Sequence, residues 1–290
     1  MSGSNPLQSF FRKSKFQLTL PSGGKWWPKD AIQLNTNGTV DIMSMTATDD
    51  VKFKASESSV SGVSTYDLIK SCVPNIKMPE FVPSVDLDVL LLSIRRATYG
   101  DELTINAPVP NTKLSRAIKL NISTLLSDYA KDVEWDEDLT IVNENNEELK
   151  VKIVPNDAKS LFALTKTISK QNQIALKIAE GIDSDDEKME SLNGTIKSLS
   201  EVKLSSVVDC VTELAMGDYH TSDVTEIINV LKNLDVEYFN ALQAHLTAQR
   251  EKFAFALIPC TSTKDELAAG APATWEAEIT FAQSDFFKHA

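Results

Sequence analysis

The stretch VDLDVLLLSIRRATYG at residues 85–100 is the most regular amphipathic segment of the chain and decides the fold of its first half. Its apolar residues recur at helical spacing and are Val85, Val89, Leu90, Leu91, Leu92, Ile94 and Ala97. This spacing puts them on one wide face of an α-helix, which is stable only when that face is buried. We therefore predict a buried helix that anchors the first core and ends at Gly100.

Short alternating segments lie before this helix. Residues 16–20 alternate between apolar and polar side chains, and residues 40–43 repeat the pattern after Asn37-Gly38. Such alternation with a turn signal between the two segments predicts a β-hairpin or meander. The polar, Ser-rich residues 46–62 are predicted to form a loop with one helical turn, and a short helix is predicted from Thr65 to Cys72.

Further strands are predicted after the buried helix. They occupy residues 103–105 and 117–122, around a turn at 108–111, and residues 139–142 and 149–154, around a polar tip. A last alternating segment covers residues 275–281. The pattern therefore places β-structure towards both ends of the chain.

The intervening residues 157–257 have helical periodicity. They predict four helices, at 161–178, from the acidic residues 183–187 through Val211 and Leu214 to Gly217, at 221–234, and at 238–253. We therefore predict an α+β fold in which both ends of the chain form one discontinuous β-containing lobe and the middle is an inserted α-helical bundle. The predicted parts are an N-terminal arm at 1–15, the lobe at 16–155 and 256–290, and the helical insertion at 156–255.

Composition narrows the classes of function. The chain has 290 residues and a formal net charge of −12, which disfavours nucleic acid as the partner because phosphate backbones are anionic. Three widely separated cysteines predict reduced, cytosolic folding without a disulfide framework. No membrane partner is predicted, since no apolar run reaches the ~18 residues that span a bilayer.

No residue pattern specifies an enzyme. The three histidines, His220, His245 and His289, share no metal-binding spacing with one another or with a cysteine. Ser-Gly-Gly-Lys at 22–25 lacks the spacing of a phosphate-binding P-loop, and acidic pairs such as Asp49-Asp50 are common in solvated loops. We therefore predict that the protein is not an enzyme and has no catalytic residues, no metal ligands and no cofactor.

Several side chains are candidates for contact with a partner protein. These candidate partner-binding residues are Phe10, Phe11, Trp26, Trp27, Gln171, Asn172, Phe286 and Phe287. Trp26 and Trp27 are adjacent and cannot both point into the same core. Either one of them contacts a partner, or both pack against opposite sides of a small lobe.

The phenylalanine pairs and the polar residues at 171–172 are candidates for other reasons. The pair at 286–287 has the same two interpretations as the tryptophans, and it would be costly if it were exposed without a partner. The pair at 10–11 lies beside a basic stretch at 12–15. A polar residue at 171 or 172 interrupts the apolar seam of the first long helix, as in helices that select a register against a partner.

A set of short motifs occurs in an order that resembles one protein family. They are LPSGG at 20–24, MSMT at 43–46, RRATYG at 95–100, ITF at 279–281 and SDFF at 284–287. Taken together in this order, they are similar to the baseplate hub and hub-assembly proteins of contractile-tailed bacteriophages.

The resemblance has consequences for the lobe. Many members of that family carry two cysteine pairs with zinc-ribbon spacing, whereas residues 106–111 of this chain contain no cysteine and residues 259–262 contain only Cys260. Because a tetrahedral zinc site needs about four ligands, the resemblance implies a lobe without zinc that is stabilised by packing. It also implies that residues 103–122 and 256–287 are neighbours.

The resemblance implies a structural or assembly role in the tail baseplate, through contacts with other hub, tube or wedge proteins and in several copies of a symmetric assembly. Three and six copies are equally compatible with this role. The expected location is the host cytoplasm during assembly and then the virion tail baseplate. Two alternatives are a cytosolic assembly chaperone or binding module that is not retained in the virion, and a hydrolase with a scattered acidic site.

Overall fold

A computed structural model of the chain describes residues 10–55, 62–129, 133–179, 201–202 and 204–279, without the side chains at 54–55, 170–172 and 174–179. Helices and antiparallel strands are mixed along these residues. The predicted α+β class is therefore confirmed.

The first part of the chain is built around one buried helix. Strands β1 (Ser14–Thr19) and β2 (Thr39–Met43) form an antiparallel pair. Helices α1 (Ala47–Ala55) and α2 (Val63–Cys72) and a 3-10 turn (Pro79–Phe81) lead to α3 (Ser84–Tyr99). The prediction of a buried helix that ends at Gly100 is confirmed, whereas the single helical turn predicted in 46–62 is too short, since α1 continues to Ala55.

The segment after α3 returns to β-structure. Strands β3 (Glu102–Pro108) and β4 (Ser115–Asn121) pair and are followed by helix α4 (Ile122–Asp128). Strands β5 (Asp138–Val142) and β6 (Glu148–Ile153) form the predicted hairpin, and helix α5 (Ala158–Ala179) follows. Both predicted strand pairs are confirmed.

The second of the four predicted helices, which was expected to end at Gly217, is wrong at its C-terminal end. Residues that were expected to continue it to Gly217 form strand β7 (Val211–Met216), which is joined by a turn to β8 (Tyr219–Thr221). Strand β7 pairs with β6, with Leu214 opposite Val151, and completes a four-stranded sheet in the order β5-β6-β7-β8. Periodicity alone cannot distinguish a short buried strand from a helical turn, and pairing with β6 decides the outcome here.

The remaining elements are helical, with a small β pair near the end of the described residues. Helices α6 (Val224–Asn233) and α7 (Val236–Lys252) precede β9 (Ile258–Thr261), α8 (Lys264–Ala268) and β10 (Thr274–Ala277). Strands β9 and β10 pair antiparallel, with Trp275 opposite Cys260.

Three apolar clusters hold these elements together. The first surrounds α3 and includes Ile42, Leu90 and Leu92. The second joins the four-stranded sheet to α6 and α7, through residues such as Val151 and Leu242. Burial of each such side chain is favourable by roughly 1.5–3 kcal/mol, so these two clusters supply most of the packing energy.

The third cluster connects distant parts of the chain. It brings Ala107 and Val109 from the β3–β4 region against Cys260 and Trp275 from the β9–β10 region. In addition, Ile279 belongs to the first cluster. Residues 103–122 and the described part of 256–287 are therefore neighbours, while the boundaries of the three predicted parts stay a prediction.

Candidate partner-binding site

The turn that carries the two tryptophans is fixed by one buried carboxylate. Asp86 of α3 is fully buried. It accepts hydrogen bonds from the Ser22 backbone N–H at 2.8 Å, from Ser22 Oγ at 2.5 Å and from Trp27 Nε1 at 3.1 Å. The Gly24 N–H in turn donates to Ser22 Oγ at 3.1 Å. The LPSGG segment is thus a tight turn attached to the buried helix.

The electrostatics of this carboxylate reflect two opposing effects. Burial raises the pKa of Asp86 to about 6, because a charge is poorly solvated inside the protein, while the bonds from Ser22 and Trp27 lower the pKa. Burial is the larger of the two effects. Three donors satisfy an acceptor that would otherwise be costly to bury.

The two tryptophans pack in opposite directions within the chain. Trp26 contacts the second cluster, where its ring lies edge-on to Trp135 at a centroid distance of 6.2 Å and its Nε1 donates to Glu137 Oε1 at 2.9 Å. Trp27 packs against the first cluster. Trp26 has a positive φ of 65°, which is unusual for a bulky residue and belongs to the sharp turn at this point. Both rings are half-buried, so their contact with a partner stays a prediction.

The beginning of the described chain exposes a second aromatic pair. Phe10 is 88% and Phe11 64% exposed. The next residue, Arg12, attaches this segment to the body by donating to Asp49 Oδ2 at 3.0 Å and to Ser71 Oγ at 2.9 Å. The aromatic pair therefore projects from a fixed point, and its contact with a partner stays a prediction.

The Asp49 carboxyl group that binds Arg12 is kept in its charged form. Burial pushes the pKa of Asp49 upward, but hydrogen bonds from Thr46 and Ser71 and the charge of Arg12 together lower the pKa below its usual value. The same carboxylate accepts from the Thr46 N–H at 2.8 Å at the start of α1. Arg12 thus links the exposed segment to α1 and α2.

The structure describes no side-chain contact for the remaining predicted partner-binding residues. Gln171 and Asn172 lie within α5, but their side chains are outside the described part of the chain. Phe286 and Phe287 also lie outside the described residues. Their role in partner binding stays a prediction.

The third cluster is stabilised by an ion pair that the sequence did not reveal. Arg116 of β4 binds Glu266 of α8 through both ends of its guanidinium, with Nε to Oε1 at 2.8 Å, and donates from Nη2 to Thr261 O at 2.9 Å. The guanidinium carbon lies 5.3 Å from the centroid of the Trp275 ring. Thr263 and Glu266 form a reciprocal capping box, and the Thr-x-x-Glu spacing was the one available sequence signal.

Cys260 is the cysteine at the position where the resemblance places a metal ligand. It is buried and free, as are Cys72 and Cys210. Across the described ranges, no group of three or more histidine, cysteine or acidic residues is placed to hold a metal ion. Among the helices that the structure describes, none combines the length and apolar character needed to cross a membrane.

Comparison with known proteins defines the class of this chain as a phage baseplate protein. The family model described as T4 bacteriophage base plate protein matches residues 12–266. The chain therefore belongs to the T4 bacteriophage base plate protein family, and the resemblance drawn from the short motifs is confirmed at the level of the baseplate. Searches of curated proteins and of solved structures gave no significant match.

The extent of this match divides the predicted partner-binding residues. It includes the tryptophan turn and the α5 positions, and it begins at Arg12, directly after the exposed phenylalanine pair. Arg12, which attaches the exposed pair to the body of the protein, is therefore part of the matched range, while Phe10 and Phe11 lie just before it.

Proposed function

We propose that this baseplate protein is a structural or assembly component of the hub region and acts through contacts with other proteins, without catalysis. The observation that carries the proposal is the family match over residues 12–266, which covers most of the chain. Its partners are other hub, tube or wedge proteins, and it occupies a symmetric assembly in several copies. Assembly takes place in the host cytoplasm, and the final location is the virion tail baseplate.

The proposed contact surfaces are those named from the sequence. The exposed pair Phe10 and Phe11 has the strongest support, because large aromatic side chains that project from a fixed backbone are common interface anchors. Trp26 and Trp27 are half-buried and contribute their remaining surface. The seam at 171–172 and the pair at 286–287 complete the proposed set.

The alternative is an assembly chaperone or binding module that leaves before the virion is complete. Mass spectrometry of purified particles and of isolated baseplate intermediates separates the two roles. Detection in both samples is expected for the proposed component. Detection in intermediates alone would establish the alternative, and absence from both would refute a role in baseplate construction.

A further inference from the structure

A groove of about 1000 Å³ lies where the exposed phenylalanine pair meets the end of the β1–β2 pair. Its lining comes from two short segments, residues 10–15 and 43–46. Neither segment takes part in the tryptophan turn. The groove is therefore a separate surface feature with its own chemistry.

The apolar part of the lining suits a large side chain. Phe10 and Phe11 are exposed, and they lie along the groove with Met43 and Met45. Methionine is flexible and polarisable and adapts to differently shaped apolar groups. Covering the aromatic rings is favourable by roughly 25 cal/mol for each Å² removed from water.

The charged part of the lining has one sign only. Arg12, Lys13 and Lys15 line the groove, and none of the residues at 10–15 and 43–46 is acidic. Lys13 and Lys15 are exposed, and neither forms a salt bridge with a carboxylate among the described residues. The charge of Arg12 is offset by Asp49, so the uncompensated positive charge of the groove is that of Lys13 and Lys15. It is opposite in sign to the net charge of −12 of the whole chain and favours an anionic ligand.

The walls of the groove are held in place before any ligand binds. Arg12 donates to the Ser44 carbonyl at 3.3 Å as well as to Asp49, which ties the first lining segment to the second. The Met45 N–H donates to Thr98 Oγ1 of α3 at 3.0 Å. A site formed in advance loses less conformational entropy on binding.

We propose that this groove is the docking site for an acidic segment of another baseplate protein, which inserts a large apolar side chain between the phenylalanines and Met43. Carboxylates of that segment lie against Lys13 and Lys15. This inference rests on the proposed function and specifies the chemistry of the partner at one of its surfaces. A protein segment is favoured over nucleic acid because a phosphate backbone would leave the apolar lining of the groove uncovered.

The test uses photo-crosslinking in cells that produce phage. The full chain carries the photoreactive residue p-benzoylphenylalanine in place of Phe11, and crosslinked peptides from purified baseplate intermediates are identified by mass spectrometry. We expect one acidic peptide from another baseplate protein. The variant Lys13→Glu with Lys15→Glu should lower the crosslink yield about tenfold, which corresponds to ~1.4 kcal/mol, and Lys13→Arg with Lys15→Arg should retain it.

A matched control places the same charge change elsewhere. Lys113→Glu with Lys119→Glu alters two exposed lysines at the β3–β4 pair and should leave the crosslink yield unchanged. A crosslink to a neutral or basic peptide, to a second copy of this chain or to nucleic acid overturns the inference, as does an unchanged yield from the Lys13 and Lys15 reversal. If the variant protein still enters baseplates, each of these results leaves the proposed function intact. Absence of the chain from both particles and intermediates would refute the proposed function itself.

Discussion

Ser22 and Asp86 are joined by two hydrogen bonds, from the Ser22 N–H at 2.8 Å and from its hydroxyl at 2.5 Å. The residues are 64 positions apart, and both are buried. This contact fixes the LPSGG turn on α3, and it therefore determines where Trp26 and Trp27 are placed.

Removal of this carboxylate should destabilise the protein strongly. Asp86→Ala leaves three donors without an acceptor, those of the Ser22 backbone, the Ser22 hydroxyl and Trp27 Nε1. We expect a loss of about 2–4 kcal/mol in the free energy of unfolding, measured by urea denaturation. Ser22→Ala removes one of these three donors and the acceptor of the Gly24 N–H, and it should cost less, about 1 kcal/mol. Equal effects of the two substitutions would contradict this account.

The same carboxyl group should make stability depend on pH. The pKa of Asp86 is about 6 in the folded protein against a usual value of 3.8, so between about pH 4 and pH 6 the folded state binds more protons than the unfolded state. The free energy of unfolding therefore falls as pH rises through this interval, by about 1–3 kcal/mol, and then levels off.

The comparison that isolates this effect is wild type against Asp86→Asn, which cannot ionise. Urea denaturation at a series of pH values should show the stability of the wild type declining relative to the variant from about pH 4 to pH 6. A constant difference across that interval would exclude Asp86 as the titrating group.

Gly62 should tolerate no side chain. It has a φ of 72°, and an added Cβ would lie 2.5 Å from Phe162 Cδ2. Gly38 is the matched control, because its φ is 76° and nothing lies within 4 Å of the added atom. Gly38→Ala should cost only the left-handed backbone penalty of roughly 1 kcal/mol. Gly62→Ala should lower the melting temperature clearly more than Gly38→Ala does. Similar melting temperatures for the two variants would show that Phe162 moves aside freely.

The bidentate ion pair of Arg116 with Glu266 should stabilise the third cluster only when the cation is a planar guanidinium. Arg116→Lys keeps the charge but loses the paired hydrogen bonds and the bond to the Thr261 carbonyl. We expect a lower melting temperature and increased solvent exposure of Trp275. The matched substitution Arg96→Lys, at the more exposed pair with Asp101, should change the melting temperature little. The reverse order would show that the ion pair does not stabilise the third cluster.

A test of partner contact by Trp26 and Trp27 requires substitutions that keep an aromatic ring at both positions. Trp26→Phe with Trp27→Phe keeps aromatic rings in both clusters but reduces the half-buried surface. If these residues anchor a partner, the folded variant should enter baseplates less efficiently, as measured by its abundance in purified particles. Trp135→Phe is the control, because Trp135 packs on Trp26 from the interior and should leave incorporation normal. Normal incorporation of the double variant would remove the tryptophans from the interface.

Periodicity predicted those elements whose apolar residues repeat over several turns or across a paired hairpin. Helix α3 and the β5–β6 hairpin are examples, and both are confirmed. Strand β7 was predicted as helix because the spacing of Val211 and Leu214 fits either structure. Its partner β6 lies some sixty residues earlier in the chain, as the pair Lys152 and Thr212 illustrates, and no local pattern encodes such a pairing.

The candidate site was predictable to a similar extent. That Phe10 and Phe11 are candidates follows from their position beside a basic stretch in the sequence, whereas their exposure is seen only in the structure. The anchoring role of Asp86 does not, because an acidic residue within an apolar helix gives no indication of a donor 64 positions away. Similarly, the directions of Trp26 and Trp27 depend on Trp135 and Asp86, which only the folded chain brings close.

The opposite packing of Trp26 and Trp27 has a mechanical consequence. Each indole is embedded in a different apolar cluster, and the two residues share a single peptide unit, which is planar and resists rotation. Only the backbone torsions of two adjacent residues separate the two clusters at this point. We therefore expect a displacement of the sheet with α6 and α7 to be passed on to the helix α3 through this turn.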